Sequence, residues 1–257
     1  MATFLFDKII FGPVQSRRLG ISLGINLLPQ DFKICSFDCV YCECGWNKTA
    51  NEKHKLPTRQ EVREALENQL NLMIKENKAP NYITFAGNGE PTLHPEFAEI
   101  IDDTIDIRNK IAPNCKIAVL SNATRIGKES VFKALLKIDD NILKMDSAVP
   151  ETAMLINKYN SAYSIEKTVE KMKNFKGKFI MQTLFIRGED KGKHFDNTTD
   201  AELEKWLKIV KETKPRMLML YSISRDTPLE TVEAVSKTEL ESIAKKVKAL
   251  GIETQIS

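Results

Sequence analysis

The chain has 257 residues, 42% hydrophobic and 28% charged, with a formal net charge of +3. That is enough apolar material for a core without disulfide staples, and too small a basic excess to mark a dedicated nucleic-acid binder. The longest apolar runs are only a few residues, which excludes a membrane-crossing helix. The start, MATFLFDKII, lacks the basic-then-apolar order of a secretory leader, so a reducing cytoplasm is the expected compartment.

Residues 1–20 read as an N-terminal extension. It carries Arg17 and Arg18 in a setting rich in glycine and serine, compatible with an anion site or with a solvated surface. The apolar run ISLGINL at 21–27 is the first expected strand, and 28–58 reads as a cysteine-bearing loop region. Further β-branched apolar runs fall at 82–86, 116–121, 142–146, 178–186, 216–222 and 252–256. Between them the period turns helical. Val62, Leu66, Leu70, Met73 and Ile74 share one face, as do Leu203, Trp206, Leu207 and Val210, and Leu240, Ile243, Val247 and Leu250. Thr58-x-x-Glu61, Thr199-x-x-Glu202 and Ser236-x-x-Glu239 have the spacing of capping boxes, and Gly251 stands where a helix-ending glycine belongs. No linker, repeat or low-complexity tract divides the chain, so a single domain over 1–257 is expected.

Repeated strand–helix–strand alternation implies a parallel α/β sheet with helices outside it, as an open doubly wound sheet or an incomplete barrel. In both, chemistry collects at the C-terminal ends of the strands. The loop after the first run holds four of the five cysteines: Cys35, Cys39, Cys42 and Cys44, with Cys115 elsewhere. An odd count in tight spacing does not read as a disulfide framework. Three thiolates on one short loop can converge on a single metal site. A structural zinc draws on two separated ligand pairs, and His54 stands at no usual spacing for it. A cubane iron–sulfur cluster typically takes four thiolates, and three leave one iron open to a substrate or cofactor. In the loops after later runs, 87-GNGEP-91 offers two glycines for close backbone approach and a carboxylate. Arg225 can meet a carboxylate or phosphate bidentately, or form a surface ion pair.

Cys35-x3-Cys39-x2-Cys42, with Tyr41 just before the last cysteine, resembles the signature of the radical S-adenosylmethionine (SAM) superfamily. The glycine-rich 87-GNGEP-91, Ser121-Asn122, Asp146-Ser147 and Gln182 follow in the order such proteins place their SAM contacts. The resemblance spans most of the chain and implies a partial TIM barrel, (β/α)6, with parallel strands and outer helices. It implies a [4Fe-4S] cluster on Cys35, Cys39 and Cys42, with the SAM amino and carboxylate groups on the fourth iron. Tyr41, Gly87, Gly89, Glu90, Ser121, Asn122, Asp146, Ser147, Gln182 and Arg225 are the expected contacts of SAM. The implied reaction is reductive cleavage of SAM to a 5′-deoxyadenosyl radical that abstracts hydrogen from an unidentified substrate. A reduced flavodoxin or ferredoxin-type protein is the expected electron donor.

The stretches FGPVQSRRLGISLGINLLP (11–29) and CSFDCVYCECGWN (35–47) resemble more closely a branch of Fe–S oxidoreductases grouped with wyosine-base-forming tRNA enzymes. The wyosine-forming enzymes carry cysteines for a second cluster. Here only Cys44 and Cys115 remain, too few for one; Cys115 reads as structural, and Cys44 as a packed thiol, a ligand when SAM is absent or a substrate-facing thiol. The substrate classes implied are a small molecule or a nucleoside within RNA, tRNA among them, or a protein partner, as for an activase that installs a radical. A zinc-binding interaction module is the reading outside enzymology. His94 reads as a loop or helix-start residue, and Trp46 as a shield beside the cysteine loop.

Overall fold

The computed structural model describes residues 4–48 and 54–257. Its first strand, β1 (Ile10–Ser16), lies inside the segment read as an extension. It pairs antiparallel with β2 (Gly20–Ile25), and the register shifts between Phe11 and Val14, around Gly12 and Pro13. A proline and a bulge belong to an edge strand, and they break the alternation by which a strand is recognised.

From β2 onward the expected order holds. α1 (Arg59–Lys75) leads to β3 (Tyr82–Phe85), α2 (Phe97–Ile111) to β4 (Lys116–Ser121), and α3 (Glu129–Lys137) to β5 (Asp140–Lys144). Two helices, α4 (Pro150–Asn157) and α5 (Ile165–Lys173), precede β6 (Ile180–Leu184). The chain then forms β7 (Ile186–Asp190) and β8 (Lys193–Asp196) before α6 (Asp200–Thr213) and β9 (Met217–Tyr221). The short β10 (Glu233–Ala234), α7 (Lys237–Lys248) and β11 (Glu253–Ile256) follow. All seven apolar runs supply strands to one curled sheet in the order β1-β2-β3-β4-β5-β6-β9-β11, parallel throughout except for β1. The α/β half-barrel expected from the sequence is therefore present, with β11 as a seventh parallel strand.

The run 178–186 divides. β6 ends at Leu184, and β7 turns away into a separate antiparallel sheet, β10-β7-β8. Its hairpin closes through Lys191 and Gly192, both at positive φ (52° and 78°), the conformation of a two-residue type I′ turn. A Lys-Gly pair is a weaker hairpin signal than Asn-Gly, and the polar β7 has no apolar face to announce it.

Side-chain alternation assigns the two faces of the main sheet. Ile117, Val119, Leu218 and Leu220 pack outward into the large core with Leu66, Phe97, Trp206 and Ile243 of the helices. Ala118, Ile142, Ile180 and Met219 point inward and join Leu19 in a plug in the lumen. Both faces are buried, which is why the strands read as unbroken apolar runs. The Phe185 and Trp206 rings meet edge to face at 5.3 Å, and the Trp206 indole N–H donates to Thr183 Oγ1 at 3.1 Å.

Two capping boxes are complete. In α1 the Glu61 N–H donates to Thr58 Oγ1 at 3.2 Å and the Thr58 N–H to the Glu61 carboxylate at 2.7 Å. Ser236 and Glu239 do the same at 3.2 and 3.0 Å. At α6 only Thr199 caps; the Glu202 carboxylate turns inward and accepts from Ser147 Oγ at 2.7 Å. Ser236→Ala is expected to cost about 1 kcal/mol of stability. The measurement is the urea midpoint, which should fall with the slope of the transition unchanged.

Candidate active site at the mouth of the half-barrel

The cysteine loop leaves the C-terminal end of β2 and is held from two sides by backbone bonds. On one side the Ile34 N–H donates to Asn88 O at 3.0 Å and the Glu90 N–H to Ile34 O at 3.1 Å, a one-residue parallel bridge to the 87–90 turn. On the other, the Asp38 N–H donates to Asn157 O and the Val40 N–H to Ile156 O, both at 2.9 Å, docking the loop on the end of α4. Within the loop the buried Lys33 ammonium donates to Gly45 O at 2.6 Å and to Asp38 Oδ1 at 3.1 Å. The same carboxylate oxygen accepts from the Asn47 N–H at 2.7 Å.

The glycines of GNGEP are required by the protein's own packing. A β-carbon at Gly89, where φ is +134°, would lie 1.9 Å from Ile34 O; one at Gly87 would lie 2.5 Å from Asn26 Oδ1. Asn26, fully buried, accepts from the Asn88 N–H at 3.1 Å. The Asn88 side chain reaches the N-terminal segment, accepting from the Phe6 N–H at 2.8 Å and donating to Phe6 O at 2.9 Å. Glu90 is buried, and its carboxylate accepts from four donors: the Thr92 N–H (3.1 Å), Thr92 Oγ1 (2.5 Å), Ser121 Oγ (3.0 Å) and the Asn122 N–H (2.6 Å). Burial pushes its pKa up and these hydrogen bonds pull against that rise.

A second buried carboxylate organises the opposite side. Asp146 Oδ2 accepts from Tyr41 Oη (2.5 Å), from Asn157 Nδ2 (2.8 Å) and from the Lys144 ammonium; Oδ1 accepts from the Leu184 N–H (3.1 Å). Lys144 also lies over the Tyr41 ring, 4.4 Å from its centroid. A carboxylate has about four acceptor positions. Glu90 and Asp146 fill theirs with protein donors, so each acts by positioning its neighbours.

All five cysteines are free thiols. Asn122 Nδ2 lies 3.6 Å from Cys35 Sγ, and Asn157 Nδ2 3.6 Å from Cys39 Sγ. Burial pushes Cys35 up to about 12 and Cys39 up to about 11. Cys42 is drawn down to about 6 by the Cys44 thiol and, against its own burial, by the Lys33 ammonium. Burial works to lower Lys33, but the Cys42 and Cys35 sulfurs and Asp38 outweigh it and keep the lysine charged. The Cys44 S–H also lies 3.4 Å from Gly87 O. One S–H serves one acceptor, and an ionised Cys42 is the stronger of the two. Three thiols on one loop, met by amide N–H donors and an ammonium, form a donor set suited to anionic sulfurs that ligate iron.

The remaining expected contacts divide. Lys144 and Gln182 are cross-strand partners, and Gln182 pairs with Met219, which lines the lumen; Gln182 therefore stands on the inner wall. Ser121 and Asn122 lie against the cysteine loop, where Asn122 Nδ2 also donates to Ser36 Oγ at 2.9 Å. Ser147 is turned away, its hydroxyl engaged by Glu202 and Val149 O. Arg225 is exposed at the rim and paired with Glu43. His94 is structural: one ring nitrogen meets Pro57 O at 2.8 Å and the other accepts from the Glu96 N–H. Trp46 packs beside the loop with Lys158 over its ring. The sequence reading missed Lys33, Asn26, Asn88 and Asn157. Only Asn88, inside GNGEP, carried a signal that position in a motif reveals.

Gly89→Ala has no backbone solution that keeps the Ile34 bridge, and its soluble yield and thermal midpoint are expected to fall far below those of Gly192→Ala, where a β-carbon meets nothing within 4 Å. In the metal-free chain at pH 7, iodoacetamide is expected to label Cys42 at least about tenfold faster than Cys35 or Cys39, read by peptide mass mapping.

The chain matches the family model of the radical SAM superfamily over residues 30–200. It is 32% identical over 249 residues to a protein of Brachyspira hyodysenteriae named GTPase Obg, covering 95% of this chain and 34% of that one. It is 33% identical over 184 residues to a UPF0026 protein of Methanocaldococcus jannaschii, covering 69% and 54%. The chain thus spans a third to a half of the length of these two relatives. A UPF0026 protein of Synechocystis sp. is 27% identical over 270 residues, covering 95% and 94%. In fold it is similar to a radical SAM methyltransferase from Sphaerobacter thermophilus (TM-score 0.65, 13% identity, 92% and 65% covered). It is similar in fold also to TYW1 with a lysine–pyruvate adduct bound (TM-score 0.64, 16% identity, 89% and 73% covered). With its cysteine loop, its half-barrel and a family match across most of both, the chain belongs to the radical SAM superfamily.

Proposed function

We propose that the chain is a radical SAM enzyme, an oxidoreductase in which Cys35, Cys39 and Cys42 hold a [4Fe-4S] cluster and the 87–90 and 121–122 turns help to hold SAM beside it. The observation that carries this reading is the sulfur environment. Asn122, in the loop after β4, and Asn157, at the end of α4, direct N–H groups at Cys35 and Cys39, and Lys33 sets a charge beside Cys42. Hydrogen bonds and charge around the sulfurs are the means by which a protein tunes such a cluster.

When bound, the cluster would supply the electron that cleaves SAM to a 5′-deoxyadenosyl radical; a reduced flavodoxin or ferredoxin-type donor is the source we propose. The protein's part is orientation and exclusion of water. Glu90 fixes the Ser121 hydroxyl and the Asn122 backbone, and Asp146 fixes Tyr41, Asn157 and Lys144. Gly87 and Gly89 bring main chain, without side chains, to the mouth. Gln182 presents a polar group on the inner wall. Ser147 and Arg225 are left outside the SAM site, engaged elsewhere. We further propose that the whole chain acts as one radical SAM unit in the cytoplasm. No helix among the described residues is long and apolar enough to cross a membrane.

The test is formation of 5′-deoxyadenosine by protein reconstituted anaerobically with iron and sulfide and given SAM and dithionite. Wild type is expected to form it and Cys39→Ala to form none. Lys33→Met is expected to assemble less cluster per chain, read from iron and sulfide content. Zinc in place of iron in anaerobically isolated protein would overturn the reading.

A further inference from the structure

The lumen holds a charged group that this reading does not use. Arg18, in the turn between β1 and β2, directs its guanidinium into the half-barrel, 4.6 Å from the centroid of the Tyr221 ring. Its Nη1 atom is fully enclosed and has no hydrogen-bond partner among the described residues. An unpaired buried donor costs about 1–3 kcal/mol, and more when charged. Glu43 and Asp226 line the same cavity, yet neither is within ion-pairing distance of Arg18, and Glu43 is taken by Arg225. The residue is pinned rather than loose. Its N–H and that of Leu19 donate to Ser16 Oγ at 3.3 and 3.1 Å, its carbonyl accepts from Gln255 Nε2 at 3.1 Å, and Leu19 sits in the lumen plug.

An aromatic wall stands in the same cavity of about 940 Å³. The Phe11 ring covers Gly24, where a β-carbon would lie 2.1 Å from it. Phe6 stacks on Phe11 at 3.7 Å and 28°, and Phe4 meets Phe6 edge-on at 4.9 Å. A fixed cation with an unused donor, beside a stacked apolar wall, is complementary to a ligand with one anionic end and a planar or apolar body.

We infer that Arg18 is the anion-binding residue of the substrate site, and that the substrate presents an oxyanion, carboxylate or phosphate, to it, with its body against Phe6 and Phe11. The inference rests on the radical SAM reading for the word substrate; the anion site itself stands on geometry alone. Full-length, cluster-loaded protein is titrated calorimetrically with phenyl phosphate, benzoate and neutral benzyl alcohol. At least one anion is expected to bind saturably and benzyl alcohol about tenfold or more weakly, a difference of about 1.4 kcal/mol. The tighter of phenyl phosphate and benzoate names the oxyanion. R18Q, checked for fold by circular dichroism, is expected to bring the anion down to the alcohol's affinity, and R17Q to leave it unchanged. Should R18Q fail to fold, R18K, which keeps the charge but not the fork, is expected to lose about threefold or more for the anion alone. Unchanged affinity in the folded Arg18 variant, equal losses in R17Q and R18Q, or a wild type that binds neither anion would each overturn the inference. Anion binding without SAM cleavage would overturn the enzyme reading and leave this one; SAM cleavage without anion binding would do the reverse.

Discussion

The carbonyl of Ile34 occupies the space that a side chain at residue 89 would need. That single close approach lets the cysteine loop and the glycine turn share a backbone bridge, with the Ile34 N–H and C=O both used on residues 88 and 90. A long loop carrying several thiols has little reason to hold one shape: it lacks a core of its own, and its ligands repel one another once ionised. The bridge fixes its beginning, and the docking of Asp38 and Val40 on the end of α4 fixes its middle. The remainder of the mouth depends on this placement. Asn122 and Asn157 reach Cys35 and Cys39 because the loop is held between the turn after β4 and the end of α4.

The two buried carboxylates divide the labour of rigidity. Glu90 joins the turn after β3 to the turn after β4, and Asp146 joins the segment after β5 to the cysteine loop, to α4 and to the end of β6. β3 is thereby tied to β4, and β5 to β6, at their C-terminal ends by side chains, where ladder bonds give out. A buried carboxyl group met by about four donors is satisfied, and one that loses any of them is costly to keep buried. Such hubs resist piecemeal change.

Most of the architecture was legible because parallel strands covered on both faces leave unbroken apolar runs; all seven became neighbours in chain order. The strands that escaped notice are those for which the rule fails. β1 is an edge strand with a bulge at Gly12 and Pro13, and β7 is polar and only half-buried beyond Ile186. The cysteine spacing and GNGEP marked the site by type and position. Their detailed use was not legible, since hydrogen-bond capacity is consumed by partners far away in sequence. Glu90 is spent on residues 121 and 122, Asp146 on residues 41 and 157, and Ser147 on Glu202. Arg18 was visible as one of a basic pair, but only the folded chain separates it from exposed Arg17.

Asn88 holds the N-terminal segment by the N–H and C=O of residue 6 alone. Those two bonds read main chain and are blind to the side chain there. The strap that lines the lumen is therefore fastened independently of what it displays: the ring at position 6 can be exchanged for another group while the strap stays seated on the glycine turn. Scaffold and display are thus separable at this point, one resting on the peptide group and the other on the ring.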